Sequence, residues 1–303
     1  MNGREPRAIT RMRKKEILAG YAFLLPVLAL MGLFVFYGLF YVARLSFFKW
    51  DGLLPETMVF RGLKNYQKLF TSAVFLKSLA NVFTFMIFTV IVQMFLGLCV
   101  ALMLRPRLFG HSVFKAIFYI PVALSTTVIA RTFMGLYEPN FGLLNATFRY
   151  LQLDGLARSW LGDQNTALWC IIFTNIFQWM GAQMVYYIAG LTTISDEIFE
   201  AAQIDGAGFW RTLRHIVWPG LWSTHTTVII LGMVGAIKTF DIVWLLTQGG
   251  PGNATQFPAT LLYQAVVQNS NAGYGAAISV VMITLCVILS AAQLKFNKWQ
   301  QEA

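Results

Sequence analysis

Residues 79–104 read LANVFTFMIFTVIVQMFLGLCVALML, an unbroken run without one Asp, Glu, Lys or Arg. A hydrocarbon core about 30 Å thick is crossed by roughly 20 apolar residues in helical form, so this run is long enough to span it. Five further apolar runs lie at about 17–43, 113–136, 167–191, 221–246 and 276–294. Six such runs predict an all-α integral membrane protein with six transmembrane helices.

Composition agrees with that solvent. The 303 residues are 57% hydrophobic and 12% charged, with a mean hydropathy of +0.61, whereas a soluble domain is about a quarter charged. The 26 Phe, 9 Trp and 11 Tyr exceed what one aqueous core could hide, and lipid and headgroup layers accommodate them. The net charge of +10 is spread over the ends and loops, with no basic stripe interleaved with aromatics. It therefore reads as a topology signal and no nucleic-acid partner is expected. Cys99, Cys170 and Cys286 fall inside apolar runs, which predicts buried, unpaired thiols and no metal site.

The first run follows a basic leader, residues 1–16, carrying Arg4, Arg7, Arg11, Arg13, Lys14 and Lys15. It is too long for the apolar region of a signal peptide, and no A-x-A site follows it, so it is expected to be retained as the first helix. With the leader inside, six spans bring the tail, residues 295–303, back to the cytoplasm, and residues 17–294 form one transmembrane domain. Thirteen Lys and Arg then lie on cytoplasmic pieces and eight outside, in the direction that positively charged loops favour.

Residues 192–220 form the long cytoplasmic stretch, and they read as two short helices rather than a linker. Thr193 to Asp196 has the form of a capping box, and Asp196, Glu197 and Glu200 put negative charge where a helix N-terminus favours it. The first helix should end at Gly206, which can adopt the left-handed conformation. The second should place Trp210, Leu213 and Val217 on one apolar face until Pro219 breaks it.

Glu200-Ala201-Ala202, then three residues, Gly206, nine residues, Ile216 and Pro219 resembles the EAA signature of binding-protein-dependent ABC-importer permeases. The fuller stretch through Asp205, Gly206 and Ala207 fits the same pattern, with Trp218 where Leu is usual. The resemblance runs through Gly62-Leu63-Lys64-Asn65-Tyr66, Gly142-Leu143-Leu144-Asn145 and Thr247-Gln248-Gly249-Gly250-Pro251. It is greatest to the carbohydrate and glycerol-phosphate uptake permeases of the maltose-transporter type.

The resemblance implies a permease subunit in the bacterial cytoplasmic (inner) membrane, half of a solute pathway for a sugar, polyol or glycerol phosphate. It also implies a coupling helix at 192–220 seated on an ATPase, with Glu200, Ala201, Ala202, Asp205, Gly206, Ala207 and Pro219 as the coupling residues. Implied partners are a second, unlike permease, an ATPase dimer that carries ATP and Mg, an extracytoplasmic solute-binding protein and membrane lipid. This chain needs no cofactor of its own on that reading. It is not expected to be an enzyme: it has no G-x-x-x-x-G-K-[ST] loop, and His111, His215 and His225 have no ligand spacing.

Within the fourth run Asn175, Gln178, Trp179, Gln183 and Tyr187 are polar or amphipathic residues that lipid disfavours. They form a candidate solute path, or alternatively bond one helix to another. Lys238 and Asp241 have the spacing of a helical ion pair within the fifth run, structural or part of a gate. The alternative from another class, an ion-gradient-driven secondary transporter or channel, would want several intramembrane carboxylates or inverted repeats. Asp241 alone lies clearly inside a run.

Overall fold

The computed structural model describes residues 7–105 and 110–302, so the first six residues of the basic leader lie outside the described residues. Helix α1 (Arg7–Leu30) passes through a π-turn (Met31–Phe36) into α2 (Tyr37–Leu45). A minimal antiparallel ladder follows, β1 (Phe48–Lys49) against β2 (Val59–Phe60), with Phe48 opposite Phe60. The chain continues with α3 (Lys64–Thr71), α4 (Ala73–Met103), α5 (His111–Ala123), α6 (Thr126–Leu136), α7 (Leu143–Tyr150) and α8 (Ala167–Leu191). Next come α9 (Asp196–Ile204), α10 (Phe209–Thr212), a π-turn (Leu213–Val217), α11 (Trp218–Gly220) and α12 (Trp222–Lys238). The last elements are α13 (Asp241–Thr247), α14 (Pro258–Tyr263), a π-turn (Gln264–Gln268) and α15 (Ala272–Glu302).

Among the described residues, four helical stretches are long and apolar enough to cross a membrane: Ala19–Leu45, Ala73–Met103, Ala167–Leu191 and Ala272–Asn297. The count reaches six only if two bent pairs are each one span. The predicted third span is not one rod, because α5 and α6 meet at 93°. Pro121 lacks the N–H that would continue the ladder, Leu124 and Ser125 are extended, and the Ser125 hydroxyl accepts from Val128 N to start α6. The predicted fifth span is also interrupted. α12 ends at Lys238, Thr239 and Phe240 leave helical geometry, and α13 begins at Asp241.

At the centre α4 packs on α8 more extensively than any other pair of elements. Close approach is possible because Gly97 faces α8: a Cβ there would sit 2.7 Å from Gln183 Cβ and 2.9 Å from Met184 N. Without a hydrophobic drive between helices in lipid, such small-residue contacts gain dispersion energy across the whole interface. The cysteines are free, with Cys170 buried and Cys99 and Cys286 half-buried.

Three buried asparagines clip the loops at the end opposite α9; Asn65 and Asn145 lie in segments of the sequence resemblance, and Asn81 bonds the loop that follows a third. Asn65 donates to Ser46 O and Phe48 O, both at 2.8 Å, holding α3 against the end of α2. Asn145 donates to Pro139 O and Arg158 O and accepts from Trp160 Nε1 at 2.7 Å. Asn81 on α4 donates to Ala254 O and Gln256 O at 2.9 and 3.0 Å, pinning the loop that follows Gly249-Gly250-Pro251. Asn81→Leu strands two carbonyls, at about 1–3 kcal/mol each if they stay buried. Cleavage of loop 249–257 by added protease should rise severalfold, and an unchanged digestion pattern would show that the loop holds without Asn81.

Candidate functional site

Two places combine unusual chemistry with position: the hairpin built from α9 to α11, and a cavity between α4, α8 and α12. Helix α9 starts on Ser195, in extended geometry and without a side-chain cap. Thr193 is not the cap, because its hydroxyl turns back to Gly190 O at 2.7 Å. The other end is as expected. Gly206 has φ +69°, Gly206 N donates to Gln203 O at 3.1 Å and Ala207 N to Ala202 O at 2.8 Å, the paired bonds of a Schellman ending.

The second arm departs from the sequence expectation in two ways. Trp210 is 77% exposed rather than on the buried face, and with Ile204 at 87% and Phe209 at 62% it bares a large apolar tip beside Asp205. Pro219 does not end the helix, since it sits inside α11 and the turn comes at Leu221, where the arm meets α12 at 67°. The π-turn before it already gives up regular i−4 bonding, so a residue without an N–H costs little there. A groove of about 550 Å³ runs between the arms, lined by Ala201, Ala202, Asp205, Ala207 and Arg211 among others. Glu200 faces a separate hollow of about 1040 Å³ toward α4 and α5. Glu200, Ala201, Ala202, Asp205, Gly206 and Ala207 therefore share one unit, exposed except at Ala202, which is buried, and Ala207, which is half-buried.

The membrane-level cavity holds about 270 Å³. Its walls are Phe85, Thr89 and Gln93 on α4, Asn175, Trp179, Ala182, Gln183 and Tyr186 on α8, and Leu231, Gly232, Gly235 and Ala236 on α12, with Thr239 just past its end. Gln93 Nε2 donates to Asn175 O and Oδ1, both at 3.1 Å, while buried Gln183 Oε1 has no partner among the described residues. Amides and an indole at one side of a small-residue wall suit a hydroxylated ring, whose edge hydrogen-bonds and whose face packs on an aromatic.

Of the five α8 residues singled out from sequence, Asn175, Trp179 and Gln183 meet at this cavity. Gln178 donates instead to Thr126 Oγ1 at 3.2 Å, and the Tyr187 hydroxyl pairs with His225 Nδ1 at 2.8 Å in the core. The four-residue repeat explains Tyr187: each step advances about 40° around the helix, so three steps turn it roughly 120° from Asn175. Thr89 and Gln93 were missed, although polar residues at i, i+4 in an otherwise apolar run were the available signal. Lys238 and Asp241 are not an ion pair. The break between α12 and α13 separates them, both are exposed, and no ion pair joins them among the described residues.

Residues 93–301 match the family model described as binding-protein-dependent transport system inner membrane component. A probable ABC transporter permease protein of Bacillus subtilis, YurN, is 37% identical over 93% of this chain and 97% of its own. The trehalose/maltose transport system permease MalF of Thermococcus litoralis is 29% identical over 97% and 98%. The multiple sugar-binding transport system permease MsmF of Streptococcus mutans is 30% identical over 92% and 95%. Among solved structures, a bacterial ABC transporter that imports the acidic polysaccharide alginate has a chain that superposes with TM-score 0.81 at 19% identity, covering 97% of this chain and 99% of that one.

Proposed function

Because this chain belongs to the binding-protein-dependent transport system inner membrane component family, we propose that it forms half of the membrane pathway of an ABC importer for a sugar or oligosaccharide. The family match over residues 93–301 carries this reading, and the substrate class follows relatives named for trehalose/maltose, multiple sugars and arabinooligosaccharides. On this reading the chain makes six crossings, with α5 and α6 together as one and α12 with α13 as another, and both termini lie in the cytoplasm. The ion-gradient alternative is not favoured.

On this reading a second permease, unlike this one, covers what a lone chain leaves bare. The window of Ala19–Leu45 is 0% buried, and Arg131, Lys238 and Asp241 are exposed within apolar stretches. Charges at that depth need a wet cavity or another protein surface, and a partner around the 270 Å³ cavity would supply both. The exposed hairpin at Glu200 to Gly206 is the ATPase contact on this reading. Its apolar tip fits a groove in a partner, since large exposed apolar patches mark protein contacts. ATP and Mg belong to that ATPase dimer.

The test is uptake of labelled oligosaccharide into proteoliposomes holding this chain, its partner permease, the ATPase and a loaded binding protein. The double variant Asn175→Ala with Gln183→Ala should lower uptake about five- to tenfold, as loss of one or two hydrogen bonds to substrate predicts, while basal ATP hydrolysis persists. Unchanged uptake would remove the cavity from the solute path; uptake driven by an ion gradient without ATP would remove the importer reading.

A further inference from the structure

We propose that Arg105 is a positioning residue that ties α9 to the end of α4, so that displacement of the hairpin is carried along α4 to the polar cavity. This rests on the assignment of the hairpin as the ATPase contact. Arg105 lies just beyond the end of α4 at Met103. Its guanidinium carbon sits 3.1 Å from the centroid of the Phe199 ring. Its Nη2 is 3.3 Å from Asp196 Oδ1, the one ion pair among the described residues. Both partners belong to α9, and the chain that separates them from Arg105 includes all of α5 to α8.

The two contacts are unequal. Asp196 is 91% exposed at its side chain, and an exposed ion pair is screened by water and contributes little. Phe199 is 6% exposed and packs with Leu98 and Ala101 of α4 and with Leu191 and Val217. A cation over the face of a ring already withdrawn from water is held more strongly, and a planar guanidinium stacks where an ammonium does not. Stacking on Phe199 is therefore the main attachment, with Asp196 setting its direction.

Helix α4 can transmit what it is attached to. It is continuous from Ala73 to Met103 without an internal proline, and Phe85, Thr89 and Gln93 on it line the cavity. Gln93 lies twelve residues before Arg105, about 18 Å along the axis. The hairpin joins α8 and α12 through backbone, but it joins α4 only through side chains. Removing one of those side chains can loosen the link without interrupting the chain.

The test uses the complete importer in proteoliposomes. Arg105→Ala should leave membrane insertion, co-purification of the ATPase and basal hydrolysis near wild type. It should lower solute uptake at least tenfold and stimulation of hydrolysis by loaded binding protein at least fivefold. Phe199→Leu should behave alike, Arg105→Lys should recover less than half of the lost uptake, and Asp196→Asn should stay within twofold of wild type. Wild-type uptake and stimulation in Arg105→Ala would overturn the proposal, as would a loss of uptake matched by loss of inserted protein or bound ATPase. Full recovery with Arg105→Lys, or an equal defect in Asp196→Asn, would overturn the stacking argument. If Gly206→Val also leaves coupling intact, the hairpin assignment itself fails; if Gly206→Val uncouples and Arg105→Ala does not, only the Arg105 tether falls.

Discussion

Gly181→Val should leave almost no folded protein to extract from the membrane. A Cβ at this position on α8 would run into the carbonyl oxygen of Phe118, with Phe118 C at 2.9 Å and Tyr119 Cα at 3.2 Å. These are backbone atoms of α5, which cannot swing aside as the end of a long side chain can. Overpacking of a tight core generally costs about 1–3 kcal/mol, and separating two helices belongs at the upper end or beyond. Gly135→Ala is the control, because nothing lies within 4 Å of a Cβ built there. Yield of monodisperse protein after detergent extraction and its melting temperature are the readouts. A Gly181→Val chain with wild-type yield and melting point would mean that α5 and α8 do not pack this closely.

Gly206→Val should reduce transport by tenfold or more while leaving the chain inserted and paired. The reason differs from that at Gly181, since a Cβ at Gly206 meets nothing within 4 Å. The strain is in the backbone: φ is +69°, a region that costs an L-residue about 1–2 kcal/mol and a β-branched one more. Relieving it unwinds the Schellman ending that sets the angle between Ile204 and Phe209, and with it the shape offered to the ATPase. Asn tolerates the left-handed region, so Gly206→Asn should keep most of the transport if backbone strain is the cause. Purified complexes would be assayed for bound ATPase and for hydrolysis stimulated by the loaded binding protein. Wild-type transport with normal stimulation in Gly206→Val would end the coupling assignment of the hairpin.

Local rules were most informative where the cause is local. The limits of α8 at Ala167–Leu191 match the apolar run at 167–191, because a hydrocarbon-length stretch between polar loops has few other solutions. The left-handed Gly206 was legible too, since one residue's conformation and two backbone bonds decide it. Where a neighbour competes, the local signal lost. Thr193 has a good capping pattern, yet its hydroxyl is drawn to Gly190 O and the N-cap falls two residues later, at Ser195. Trp210 has apolar spacing, yet the π-turn that follows it at Leu213–Val217 changes the phase of the arm and leaves the indole outside.

The amino-acid order alone accounts for the solvent of this chain, the number of apolar runs and the position of the hairpin, because each depends on counting apolar residues and reading a turn a few residues long. Whether a run is one rod or two was decided in three dimensions. The 93° bend between α5 and α6 falls inside an uncharged stretch, and the break at Thr239 and Phe240 falls between Lys238 and Asp241, whose spacing reads as one helix. The same holds for the cavity. Gln93 and Asn175 are 82 residues apart in the chain, and only the close approach that Gly97 allows between α4 and α8 brings their amides within hydrogen-bonding distance. A polar group's partner in lipid is whichever group the packing delivers, and packing is a property of all the helices together.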